Sequence, residues 1–298
     1  MTTRKNLVIV RAGKNSLHPN WLDAKLARNW DLIVSLYDDA PYQNLGDEEV
    51  VRVKGGKFDG LHKTIGSFKN LLAKYEYIWL PDDDILTCQS DINKLFDSMR
   101  KYKLAVAQPS LSWNSYFSIL MTMNAPSFTL RYVTYVEVMV PCIRADLLKK
   151  ILPSFEDNMT LWGMDVIWCR LDDDNFRKAA IIDTIKVFHT RPVGQVLAGI
   201  ASTSGHNTHE AMSKLLERFG VKDPFGNMKR SYDGIYANGN WPRSEFLQQL
   251  VWLSDMVMFA ISPLNTHTKF IRVFKKIRNN LATSFIRKSN LSKLEDGN

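Results

Sequence analysis

Cysteine is scarce in this chain of 298 residues. Cys88, Cys142 and Cys169 lie far apart with no paired spacing. That excludes a disulfide framework and a cysteine-built zinc cluster, and it fits a reducing compartment. Long apolar runs are missing as well. The N-terminal run 7–10 stops at Arg11, too soon for a secretory signal. The most apolar stretch, 245–261, contains Gln248, Gln249, Ser254 and Asp255. It falls short of the roughly 18–20 uninterrupted apolar residues that a membrane span needs. Glycine (15) and proline (11) are too few for a collagen-like or linker-like chain. There is no internal repeat. The remaining composition, 45% hydrophobic and 23% charged, is ordinary globular usage and can bury a core in one large domain or two small ones.

Charge is unevenly placed. Residues 264–298 hold eight Lys and Arg against two Asp and Glu, so this segment carries +6 of the chain's net +8. A basic balance raises nucleic acid as a partner, but a near-neutral body without a binding motif argues against it. Within the basic segment Phe270, Phe274, Ile277, Leu281 and Phe285 recur at offsets of 4, 3, 4 and 4, with Lys and Arg between them. This is the layout of an interfacial helix. Either it lies on an anionic membrane surface, or it packs on the main domain or on the partner of a homo-oligomer.

The body alternates apolar runs with amphipathic ones. Strands are predicted at 7–10, 31–36, 50–53, 77–80 and 104–107, and helices at 20–29, 61–75 and 91–102. Further on, 129–140 reads as one or two strands with Glu137 inside, 144–152 as a helix, and 179–189 as a strand broken near Thr184. Past 205 the character is helical, with helices at 210–219 and 245–261. Alternation of this kind implies an α/β fold with a mainly parallel sheet flanked by helices. Ligands in such sheets bind beyond the carboxyl ends of the strands. Arg11, Asp38, Lys57 and the aspartates after residue 80 all fall there. The expected division is a catalytic domain over 1–205 and a helical C-terminal region over 206–298.

Leu80-Pro-Asp-Asp-Asp-Ile85 carries the most chemistry. Three adjacent carboxylates repel unless a cation sits among them, and hard divalent cations take carboxylate oxygens. Asp82 and Asp84 are two apart, so in an extended segment they share a face. The other reading of the triplet is an acidic loop or helix cap. Asp165 follows Trp162-Gly163, beside an apolar helix start. It is either a general base with a raised pKa or a plain cap. His189 ends a strand and is either a metal ligand or an ordinary hydrogen-bonding histidine. Glu137 sits in an apolar run, where an unpaired carboxylate is costly. Arg11, Lys57 and Lys63 could neutralise a diphosphate from the same sheet edge.

Taken together, these residues resemble glycosyltransferases of the GT-A fold, marked by a strand ending in Asp-x-Asp. A closer resemblance is to a plant and bacterial family long catalogued as a domain of unknown function. Its motifs match here as Tyr75-Glu-Tyr-Ile78 before Asp82-Asp-Asp84, Val136-Glu-Val-Met-Val-Pro141, Leu161-Trp-Gly-Met-Asp165 and Val187-Phe-His189, in order over residues 5–215. Pro81 stands where a tryptophan is usual, and the basic C-terminal helices have no counterpart.

The resemblance implies metal-dependent, inverting transfer of a sugar from a nucleotide-sugar, with UDP favoured, to a glycan or lipid-linked glycan, as in surface polysaccharide synthesis. It implies Mn2+ or Mg2+ on Asp82, Asp84 and His189, with Arg11, Asp38, Lys57, Lys63, Asp82 and Asp83 around the donor. Asp165 would be the base, and Glu137 and Trp162 would meet the acceptor. The expected location is the cytoplasm, peripheral at the inner face of the membrane. The competing class is a metal-dependent nucleotidyl or phosphoryl transferase or a hydrolase, since carboxylates at a sheet edge serve those reactions too.

Overall fold

The first strand is buried from end to end because the sheet is covered on both faces. In β1 (Asn6–Ala12), Val8, Val10 and Ala12 enter one core layer while Leu7 and Ile9 enter the other. The computed structural model describes residues 4–156, 163–171, 178–193, 208–220, 231–241 and 244–265. The basic stripe at 270–285 lies outside them, as does Trp162.

β1 pairs in parallel with β2 (Trp30–Leu36) on one side and β4 (Tyr77–Trp79) on the other, and β3 (Glu49–Arg52) adds a parallel edge to β2. Beyond β4 comes β8 (Cys142–Arg144), antiparallel to both β4 and β6 (Val106–Leu111). β9 (Ala179–His189) runs parallel to β6, and β7 (Phe128–Val133) runs against β9. β10 (Ser231–Tyr236) closes the far edge antiparallel to β7. The short β5 (Ile85–Leu86) lies off this path and pairs with the end of β9, placing Ile85 opposite His189. The C-terminal ends of β1, β2, β4, β6 and β9 therefore share one edge. The architecture is a mixed, mainly parallel sheet flanked by helices, as expected.

One face of the sheet receives α3 (Gln89–Lys101) through Ile92, Leu95, Phe96 and Met99. It also receives α8 (Glu245–Ile261) through Trp252, Met256 and Phe259. The other face is covered by α1 (Lys57–Gly66), α4 (Ala145–Ile151), α5 (Pro153–Glu156), α6 (Met164–Ile167) and α7 (Thr208–Arg218). Helices α1, α3, α4 and α7 turn an apolar stripe inward and a charged one outward, the pattern tertiary burial demands. Among the described residues no helix is long and apolar enough to cross a membrane.

Four expectations are corrected. Residues 20–29 are not a helix: a single 3-10 turn, His18–Trp21, is followed by turns, and Asp23 Oδ1 accepts the Lys25 backbone N–H at 2.9 Å. That side chain offers the backbone a partner other than a helical carbonyl. The helix predicted over 61–75 breaks after Gly66. Asn70, in the left-handed region at φ 56°, starts the separate turn α2 (Leu71–Lys74). Glu137 is not in a strand, since β7 stops at Val133 and the chain is irregular until β8. The region past 205 is not wholly helical, because β10 joins the main sheet.

Inside the sheet, β7 and β9 are locked by a fully buried ion pair, Arg131 Nε to Asp183 Oδ2 at 2.8 Å. Arg131 also donates to the carbonyls of Met121 and Met123, while Asp183 Oδ1 accepts from the Ala125 N–H at 2.9 Å. Every charge in this knot has partners, which is the condition under which a buried pair is tolerated. Arg131→Met should strand Asp183 and lower stability by about 3–5 kcal/mol. Chemical denaturation would measure this, and a wild-type midpoint would contradict it.

Candidate active site

The acidic triplet is clamped before any ligand is considered. The Leu80 and Asp82 N–H groups donate to the carbonyls of Pro141 and Met139, extending the β4–β8 pairing past the strand end. Two residues on, β5 bonds to β9. Asp83 and Asp84 form a turn between these two pairings, and the partners of each carboxylate show which way it faces. Asp83 turns one way: its Oδ2 accepts from the Gly13 N–H at 3.0 Å and the Tyr37 hydroxyl at 2.9 Å, and its Oδ1 meets Arg191 at 3.0 Å. Asp83 thus ties the ends of β1, β2 and β9 together, and its oxygens are engaged within the protein.

Asp82 and Asp84 turn the other way. Asp82 Oδ1 accepts from the Lys57 ammonium at 2.5 Å, and Lys57 also donates to the Val138 and Met139 carbonyls. Asp84 Oδ2 lies 3.1 Å from His189 Nε2, while its buried Oδ1 has no hydrogen-bond partner among the described residues. His189 Nδ1 bonds the Tyr116 carbonyl at 2.9 Å. A carbonyl can only accept, so Nδ1 carries a proton and Nε2 is the nitrogen turned to Asp84. Burial is the largest single influence on Asp84 and raises its pKa, but the hydrogen bond and charge of His189 and the charge of Arg191 together outweigh it and leave the carboxyl below the usual range. Burial lowers the His189 pKa, and Asp84 reverses that shift, so the imidazole ends above its ordinary value.

Behind the triplet, Asp165 occupies the first turn of α6, next to Gly163 at φ 98°. Its carboxylate is hydrogen-bonded to the buried Tyr135, whose pKa is driven well up by burial and by Asp165. Its carbonyl accepts the Val136 N–H at 3.1 Å. One residue further, Glu137 is buried. Its Oε1 accepts from Ser118 at 2.6 Å, while Oε2 has no hydrogen-bond partner among the described residues. Burial pushes the Glu137 carboxyl up, and it feels the charges of both His189 and Asp165. Asp84, His189, Glu137 and Asp165 therefore form one electrostatic neighbourhood at the sheet edge. Among the described residues no three metal-binding side chains already converge on one point.

The proposed donor residues divide. Arg11 is buried under the loop before α1, donating to Ser35 at 2.8 Å and to the Gly55 carbonyl at 2.9 Å, and its Nε lacks a partner among the described residues. Burial lowers its pKa. At Gly60 an added Cβ would stand 2.3 Å from the Arg11 guanidinium carbon, so any side chain there would require Arg11 to move. Asp38 orders the loops after β1 and β2 by accepting from the Lys14 and Ala40 N–H groups. Lys63 is not brought to the cluster: it sits six residues beyond Lys57 on α1, is 60% exposed and pairs with Asp59. Tyr37, Tyr116, Ser118, Tyr135 and Arg191 complete the neighbourhood and were not expected from the sequence. Arg191, two residues after His189, had the clearest signal, as a cation beside an acidic triplet.

No protein-family profile matches this sequence, and no curated relative matches it. Solved structures do. TarS 1-349 from S. aureus in complex with UDP-GlcNAc is similar over 88% of this chain and 74% of that one, at 12% identity and a TM-score of 0.49. Glucosyl-3-phosphoglycerate synthase from Mycobacterium tuberculosis, in complex with Mn2+, UDP-glucose and phosphoglyceric acid, is similar over 77% of this chain and 86% of that one, at 12% identity and a TM-score of 0.44.

Gly163 sets the entry to the turn that carries Asp165. Its positive φ disfavours any side chain, and an added Cβ would sit 3.2 Å from Met212 Cγ. Gly163→Ala should cost about 1–2 kcal/mol. Thermal unfolding would register this, and an unchanged melting temperature would contradict it.

Proposed function

We propose that the chain is a GT-A-like, metal-dependent glycosyltransferase. It would move a sugar from a nucleotide-sugar, a UDP-sugar favoured, to a hydroxyl of a glycan or lipid-linked glycan with inversion. The observation that carries this is the Asp84–His189 pair at the sheet edge, with a buried Asp84 oxygen left over. A buried carboxylate oxygen without a partner is costly, and a cation would satisfy it. The donor chemistry fits a divalent ion: one hard oxygen, one imidazole nitrogen, and a backbone carbonyl fixing the ring through its other nitrogen, the usual support for a ligating histidine.

Asp84 and His189 would hold Mn2+ or Mg2+. Asp82 would join them only by leaving Lys57, and that ammonium would then be available to a donor phosphate. The ion, when bound, supplies Lewis-acid offset of the charge growing on a departing diphosphate. Arg11 and Asp38 would shape the nucleoside side of the cleft from the ends of β1 and β2. Arg11 has an N–H to spare, and Asp38 orders the two loops.

Asp165 would take the proton from the acceptor hydroxyl as its oxygen attacks the anomeric carbon. Tyr135 would keep the carboxylate oriented through its hydroxyl. Glu137 would accept from, or donate to, a second acceptor hydroxyl through Oε2. One in-line displacement by an oxygen that Asp165 deprotonates gives inversion.

Two experiments test the assignments separately. Asp84→Asn should weaken Mn2+ binding in calorimetry by about tenfold or more, and unchanged affinity would remove Asp84 as a ligand. Asp165→Asn should leave donor binding intact while slowing transfer by about 10²-fold or more, as for loss of a general base. Undiminished turnover, or a product with retained configuration, would reject that role.

A further inference from the structure

We propose that the solvent-facing side of α8 docks on an anionic lipid bilayer, which would set the candidate active site beside the membrane surface. Within 246–261 the exposed positions are Phe246, Leu247, Leu250, Ser254, Met258 and Ile261, so Ser254 alone is polar. Leu264 extends the stripe just past the helix end, and the six apolar members are 42–58% exposed. Counted with Trp241, ahead of the helix, they are seven of the twelve exposed large apolar side chains among the described residues. An apolar face of this length, broken only at Ser254, marks an interaction surface on a water-facing helix.

The helix is firmly seated, so the stripe is not a badly docked core face. Its opposite side buries Trp252, Met256, Phe259 and Ala260. Ser244 caps its N-terminus, Gln248 donates to Ser231 at 2.8 Å, and Asp255 accepts from Ser127 at 2.8 Å. The inward and outward sides are both apolar, and only the inward one is buried.

Charge selects the occupant. No Lys or Arg lies between 244 and 265, yet the residues that follow directly carry eight Lys and Arg against two acids. An apolar helical face continued in sequence by a basic run matches acidic headgroups over an acyl boundary. A second copy of the chain on the same face would instead bring two basic runs together.

The position bears on the chemistry. Phe259 packs on Trp113 and Phe117 with ring centroids 6.1 and 5.7 Å apart. The same loop supplies the Tyr116 carbonyl to His189 and the Ser118 hydroxyl to Glu137. A bilayer on α8 would therefore lie one helix away from the proposed acceptor side, which suits a lipid-anchored acceptor.

The test is flotation of the full chain with vesicles of phosphatidylcholine, alone or with phosphatidylserine added. Binding is expected only with the anionic lipid and should weaken as salt rises. Leu250→Glu combined with Ile261→Glu should reduce binding about tenfold or more while leaving the melting temperature unchanged. Should the double variant lose stability, Met258→Glu alone tests the same face. No flotation of the wild type, or equal flotation of a stable variant, would overturn the proposal. So would light scattering that shows the stripe instead closing a dimer. Vesicle binding requires no turnover, so failure here would leave the glycosyltransferase reading standing.

Discussion

Everything at the sheet edge depends on how three adjacent carboxylates are kept from repelling one another. The chain assigns each its own basic partner: Lys57 to Asp82, Arg191 to Asp83, His189 to Asp84. Those partners come from α1, from the loop after β9 and from the end of β9, so neutralising the triplet also draws three distant segments to one place. The pairings on either side do the sorting: β4 with β8 before the triplet and β5 with β9 after it fix the turn between them. Asp83 becomes a structural tie, and Asp82 and Asp84 remain on the side where chemistry could occur.

That division bears on how a metal site can be built. Lys57 is a neutralising group that a second cation could replace, whereas the Arg191–Asp83 pair is part of the fold's closure. His189 is intermediate: its Nδ1 bond fixes the ring, and its Nε2 can face either a carboxylate or a cation. The cluster therefore holds its shape through internal ion pairs and still offers two donors with ligand character.

The sheet was legible because its strands are short, apolar and bounded by polar turns. Runs 7–10, 31–36, 50–53 and 77–80 fall inside or within a residue of observed strands. The failures have local physical causes. Trp21, Leu22, Lys25 and Leu26 have helical spacing, but Pro19 and the Asp23 side chain favour turns, and Trp21 Nε1 is drawn to the Ile85 carbonyl at 2.8 Å. Glu137 sat in a β-rich run, and no periodicity could show that the strand would stop four residues earlier. β10 and its antiparallel partner β7 are far apart in sequence, and such pairing leaves no local signal. At the site, residue type singled out Asp84 and His189 as ligands of one cation, and the direct contact between them was not legible. The loss of Asp83 to a structural role, and the parts played by Tyr135 and Ser118, depend on contacts across long separations. Lys63 looked equivalent to Lys57 because both are cations near one loop; six residues along a helix put it out of reach.

The most direct measurement is the anomalous scattering of manganese in crystals of the full chain soaked with Mn2+ and UDP. The account places the ion in contact with Asp84 and with Nε2 of His189. Manganese found elsewhere, with His189 still closed onto Asp84, would contradict it.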